Sequence, residues 1–199
     1  AIEDTSRIHP TLFCSRTLLV NDVDKEIGSS KFFKKNAAFK NALVQSIAGG
    51  NTMVFNYMAY KLLLEIEAKN SYIPSHDWLM YLLVSGHQDG LVIYSSVASV
   101  KYRQHSNNLI GSNNGFMNKL KRAKHIFKGD WSYWLDENYN ILSNHSCLSK
   151  DNKILLTEFH ELRKSNRFFS VLKFYRLGVY RQTIFGNISM LIALAFKKF

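Results

Sequence analysis

The spacing of apolar residues changes several times along the chain, and each change marks an element. Thr11-Leu12-Phe13-Cys14-Ser15-Arg16-Thr17-Leu18-Leu19-Val20 is rich in β-formers and predicts one or two strands. Asn21 to Gly28 is polar and predicts a turn or hairpin tip. Between Asn36 and Ala48 the residues Ala37, Phe39, Leu43, Val44 and Ile47 fall at helical spacing, which stops at Gly49-Gly50. Asn51 to Phe55 predicts a short strand, and Asn56 is placed to cap a helix from Tyr57 to Lys69. Pro74 breaks the chain, and Ser75 suits the cap of a helix from His76 to about Ser85. A loop from Gly86 to Gly90 leads into two strands, Leu91 to Tyr94 and Val97 to Tyr102. Asn107 to Gly115 is an Asn/Gly-rich loop, a candidate lid. From Phe116 onward the spacing is helical, in about four helices. These patterns predict an α/β part over residues 1–115 and a helical part over 116–199.

Charge changes this picture at the C-terminal end. The chain carries 26 Lys+Arg against 15 Asp+Glu, a net charge of +11, which favours polyanionic partners. From Leu162 to Phe199 there are basic residues and no acidic ones, interleaved with Phe168, Phe169, Phe174, Tyr175, Tyr180, Phe185 and the apolar run Ile188 to Phe196. Such a mixture suits an anionic membrane surface, and it equally suits a packed helix with a solvated basic face. The run is shorter than the ~20 residues that span a bilayer. The basic segment Lys119 to His125 reads as a solvated helix face; no motif for nucleic acid supports it, so nucleic acid is not an expected partner. Cys14 and Cys147 match no metal spacing and are expected to stay reduced, as in the cytoplasm. No secretory leader is recognised, and Ala1 to Asp4 reads as the middle of an element, as in a fragment of a longer chain.

The candidate chemistry lies at helix starts and strand ends, where α/β folds gather backbone donors and charges. Asp77 stands in the first turn of its helix, beside His76 and Trp78. There it is either a cap or a general base, with His76 able to orient it. Trp78 is either core or a flat wall against which a sugar ring stacks. Arg103-Gln104-His105 closes a strand; arginine suits a diphosphate and imidazole suits a divalent metal. Gly49-Gly50-Asn51-Thr52 is either a helix stop or a loop that lets a ligand approach Gly50, with Asn51 and Thr52 able to bond hydroxyls. Asp22-Val23-Asp24 has the bare Asp-x-Asp pattern of metal–nucleotide sites, but its surroundings Asn21, Lys25, Glu26 and Gly28 read as a solvated turn. There is no Gly-x-Ser-x-Gly elbow, phosphate-binding Walker loop or dinucleotide glycine fingerprint.

Taken in order, these residues resemble the C-terminal part of bacterial family-2 glycosyltransferases of the GT-A fold, in the rhamnosyltransferase-like group. The resemblance runs through Leu12-Phe13-Cys14-Ser15, Gly49-Gly50-Asn51-Thr52, His76-Asp77-Trp78, Tyr102-Arg103-Gln104-His105-Ser106-Asn107-Asn108, Gly111 and Gly178-Val179-Tyr180-Arg181-Gln182. It implies a partial GT-A mixed sheet with helices, followed by a helical C-terminal region. It also implies inverting transfer from a nucleotide-sugar to a glycan or lipid-linked acceptor in cell-surface polysaccharide synthesis, at the inner face of the plasma membrane. Asp77 matches the base, Gly50 and Asn51 the acceptor-side loop, Arg103 and Gln104 the motif over the diphosphate, and His105 the histidine near a Mg²⁺ or Mn²⁺ ion. The family's nucleotide-binding half has no counterpart before residue 10, a lack of roughly 90 to 100 residues. On that footing the fragment alone is expected not to turn over, and its sheet to expose an edge. The rival expectation is a non-catalytic module that binds membrane surfaces.

Overall fold

A computed structural model describes residues 8–66, 72–104, 130–165 and 167–199. Strand β1 spans Thr11–Val20 and is the centre of a four-stranded mixed sheet. β2 (Glu26–Ser29) pairs antiparallel with its last residues, Leu18 facing Ser29. β3 (Val54–Phe55) pairs antiparallel with its first, Leu12 facing Phe55. β4 (Leu91–Arg103) runs parallel to the whole of β1, from Thr11 opposite Leu91 to Val20 opposite Arg103. The segment read as two strands is therefore one. Its register slips around Arg16, so that Ser15 faces Ser95 while Arg16 faces Ala98. These bulges explain the interrupted pattern at Ser96-Val97. Among the described residues β4 pairs with β1 alone, and each of its positions is exposed or half-exposed.

Helices cover the sheet. The segment 36–48 forms only one short helix, α1 (Phe39–Ala42). Its polar side chains are drawn to other elements: Asn41 Nδ2 donates to the Tyr180 carbonyl, and Gln45 Oε1 accepts from the Gln182 N–H. Tertiary hydrogen bonds thus override the helical spacing. Gly50–Thr52 makes a 3₁₀ turn rather than strand, because the N–H and hydroxyl of Thr52 both donate to the Gly49 carbonyl, at 2.8 and 2.9 Å. α2 (Tyr57–Leu64) begins at the expected cap, Asn56, whose Oδ1 accepts from Ala59 N–H at 2.9 Å and from Thr11 N–H at 3.0 Å. The same side chain thereby fixes the start of β1.

α3 (His76–Gly86) is the core helix, with Trp78 through Val84 all buried. A helix apolar on every side belongs inside, and this one is enclosed by sheet and helices. Residues 105–129 lie outside the description, so the number of helices expected from Phe116 onward is not counted; the described residues from Asp130 onward hold four. They are α4 (Asp130–Ser143), α5 (Lys150–Lys164), α6 (Arg167–Leu177) and α7 (Ile184–Ala195). The boundary expected near residue 115 falls in the undescribed stretch. The helices beyond it share one continuous core with the sheet, running from Leu12 through Leu83, Leu142 and Leu162 to Phe199. Polar links join the two parts: His145 Nε2 meets the Leu62 carbonyl at 2.9 Å, and Asn152 Nδ2 donates to the Gly86 carbonyl at 2.9 Å.

Candidate functional site

Asp77 is the second residue of α3 and is half-buried. One carboxylate oxygen, Oδ1, accepts the Trp78 N–H at 2.8 Å and the Ser75 hydroxyl. The other, Oδ2, accepts the N–H of Gly50 at 3.2 Å, across 27 positions of sequence. Ser75 occupies the cap position yet makes no capping bond to the backbone. Its hydroxyl serves Asp77 instead, a role that the sequence pattern, which reads Ser75 as the cap, does not disclose. Two separately predicted features, the Gly49–Thr52 loop and the start of α3, thus meet at one carboxylate. Gly50 and Asn51 are exposed, as is His76, so the cluster faces solvent on its loop side. A Cβ at Gly50 would lie 3.7 Å from the Asp77 Cβ, an ordinary contact; an alanine would fit there.

Two residues expected to touch substrate are structural. Trp78 follows Asp77 by one position, about 100° around the helix, and so points inward. It is 5 % exposed, its indole N–H donates to the Ala42 carbonyl at 2.6 Å, and its ring meets Trp134 edge-on. The sugar-stacking expectation for Trp78 is corrected: it is a core residue. Thr52 is also buried at 5 %, with its hydroxyl bound to Gly49, so it shapes the loop rather than facing a ligand.

Arg103 and Gln104 end β4 at the other end of the sheet. Val54 faces Phe13 while Arg103 faces Val20, seven residues and about 23 Å further along β1. The intervening 3₁₀ turn recovers only part of that span, at about 2 Å per residue. Arg103 Nη2 lies 2.6 Å from Asp24 Oδ1. The Gln104 N–H donates to the Val20 carbonyl at 2.8 Å, continuing the strand ladder. Asp24 sits in a turn held by Asn21, whose Oδ1 accepts the N–H groups of Val23 and Lys25. Asp22-Val23-Asp24 is thus the expected turn, and one of its carboxylates is joined to Arg103. His105 and the loop Asn107 to Gly115 lie outside the described residues. Among the described residues no three His, Cys, Asp or Glu side chains converge as a metal would require.

A polar network absent from the expected site ties residues 35–45 to Tyr81 and to the 180–182 segment. Gln182 Oε1 accepts the Lys35 N–H at 2.9 Å, and its Nε2 donates to the Lys35 carbonyl at 3.0 Å. The Tyr81 hydroxyl accepts from Ala38 N–H and donates to Asn41 Oδ1 at 3.1 Å. Burial pushes the Tyr81 phenol well above its usual range. The Gly178-to-Gln182 motif is therefore a clasp that holds the segment preceding the Gly50 loop. A polar hollow of about 410 Å³ opens elsewhere, lined by Glu65, His87, Asp89, Ser146 and Lys150, none of them in the Asp77 cluster.

Comparison with protein-family profiles, with curated proteins and with solved structures finds no match to this chain.

Proposed function

We propose that this chain is the acceptor-side part of an inverting glycosyltransferase of GT-A type, acting from a nucleotide-sugar onto a glycan or lipid-linked hydroxyl. The observation that supports this reading best is the Gly50 N–H bond to Asp77 Oδ2, which ties a solvent-facing Gly-Asn loop to a carboxylate at a helix start. In the proposed reaction Asp77 takes the proton from the acceptor hydroxyl. The freed oxygen attacks the anomeric carbon, the carbon–oxygen bond to the diphosphate breaks, and the nucleoside diphosphate departs with the electron pair. The Gly50 and Trp78 N–H groups and the Ser75 hydroxyl hold the carboxylate in place for this step. Asn51 is exposed beside it and is assigned to acceptor hydroxyls.

The test is transfer by the chain joined to a nucleotide-binding half, as wild type or as Asp77→Asn, offered a panel of nucleotide-sugars. Asparagine keeps an acceptor oxygen for the Gly50 N–H but cannot take a proton. Transfer should fall about 10²- to 10⁴-fold with donor affinity nearly unchanged. Full activity in Asp77→Asn removes the carboxylate from the mechanism. A second reading, a non-catalytic module, is favoured by a different observation: Arg103, assigned to the diphosphate, is already paired with Asp24. It predicts no nucleotide-sugar affinity in either protein.

A further inference from the structure

α7 is apolar on two opposite faces. Met190, Ala193 and Leu194 are buried in the core. On the other side Ile184, Ile188, Ile192 and Phe196 follow one another at intervals of four, with Phe185 beside them, and all five are exposed. Residues four apart share a helix face, so this is one continuous stripe. Phe185 is 82 % exposed and Ile184 76 %, and the five lie together as a contiguous patch rather than as scattered single residues. Exposed Lys197 and Lys198 follow the helix directly, and no Asp or Glu occurs anywhere after Glu161.

We infer that the α7 stripe is a docking surface for an anionic lipid bilayer, with the helix lying in the plane of the headgroups. The stripe supplies the apolar face that sinks to the acyl boundary, and the lysines meet the phosphates. The helix has 12 residues, about 18 Å, against a hydrocarbon core of about 30 Å, so it lies on the membrane and does not cross it. The charge distribution selects lipid over a second copy of the chain. A symmetric dimer through this face would offer those lysines no acid on either copy's helix, in a protein of net charge +11. A bilayer offers apolar depth and negative charge in that order. The inference stands on α7 and its flanking charge, and does not depend on the transfer chemistry proposed for Asp77.

The test uses the full chain and sucrose-loaded vesicles, either pure phosphatidylcholine or with about 30 % phosphatidylglycerol. The protein should sediment with the anionic vesicles, and raising salt from about 0.1 to about 0.5 M should lower its partition about tenfold. Phe185→Ser/Ile188→Ser/Ile192→Ser should lower it by a further factor of about ten or more, while circular dichroism and thermal midpoint stay at wild-type values because these side chains leave the core untouched. Lys197→Glu/Lys198→Glu should weaken binding to the anionic vesicles only. Absence of vesicle binding, or binding unchanged in the triple variant, overturns the inference. So does a wild-type dimer that becomes monomeric in the triple variant without any vesicle binding, which would assign the stripe to a second copy. Either failure leaves the Asp77→Asn prediction standing, since that is read as transfer.

Discussion

At the scale of single residues, adjacent positions in the His76-Asp77-Trp78 triplet have opposite fates. The helical turn sends Asp77 to the surface loop and Trp78 into the core, so the two substitutions should behave differently. Asp77→Ala removes an acceptor from three donors at a helix start and should cost about 1–2 kcal/mol in urea unfolding. Asp77→Asn should cost less than Asp77→Ala without being neutral, because one side-chain oxygen still accepts while the amide NH2 that replaces the other faces a backbone N–H. Trp78→Ala should cost about 3–5 kcal/mol through the cavity it leaves beside Trp134 and the orphaned Ala42 carbonyl. A near-neutral Trp78→Ala would mean that the indole is not packed as described. The sequence was sufficient to place Asp77 at a helix start and Gly50 in a tight loop, since both follow from local spacing. Their meeting across 27 positions was not legible, because no periodicity encodes a contact between a loop and a distant helix end.

At the scale of elements, local pattern located β1, α2 and α3 and read the C-terminal part as helical, because each has a cap or a sustained period of its own. It failed between Asn36 and Ala48. There Asn41 and Gln45 are claimed by Tyr180, Tyr81 and Gln182, partners about 140 residues or 40 residues away that propensity cannot see. Gln182 is the centre of that failure and gives it a test. The side chain is 8 % exposed and bonds both backbone groups of Lys35. Gln182→Leu should lose about 1 kcal/mol, because it removes two hydrogen bonds to the part-buried backbone groups of Lys35. Gln182→Glu should be worse than Gln182→Leu at neutral pH, because a carboxylate would face the Lys35 carbonyl where an amide N–H now donates. If urea unfolding ranks Glu as the milder of the two, the Gln182 side chain does not hold the Lys35 carbonyl as described. Loosening this clasp also frees the segment before the Gly50 loop, so Gln182→Leu should lower any activity that depends on that loop.

At the scale of the whole molecule, sheet and helices share one core, and each contains a buried thiol that reports on it. Cys14 lies in β1 at 0 % exposure and Cys147 follows α4 at 9 %; both are free. Burial pushes the Cys14 thiol up to about 11 and the Cys147 thiol up to about 12, from an ordinary value of 9.0. The neutral thiol is thus the form that the fold prefers. In the unfolded chain the thiols ionise from about pH 9, while in the native chain they stay protonated until their raised values are reached. The unfolded state therefore binds fewer protons across this window. Stability contributed by the thiols is complete below pH 9 and is lost as pH rises toward 11 and 12, by up to about 1.4 kcal/mol per pH unit for each thiol. Cys14→Ala should reduce that alkaline slope while lowering stability at pH 7 by a small cavity term, about 1 kcal/mol. The division read from the sequence at residue 115 enters the same experiment. If sheet and helices unfold as one body, far-ultraviolet signal and the near-ultraviolet signal of Trp78 and Trp131 should fall together at every pH, and Cys14→Ala should shift both equally. If the helical part melts separately, Cys14→Ala will move only the sheet transition. The shared core from Leu12 to Phe199 predicts the single transition, and two separate midpoints would restore the two-part division.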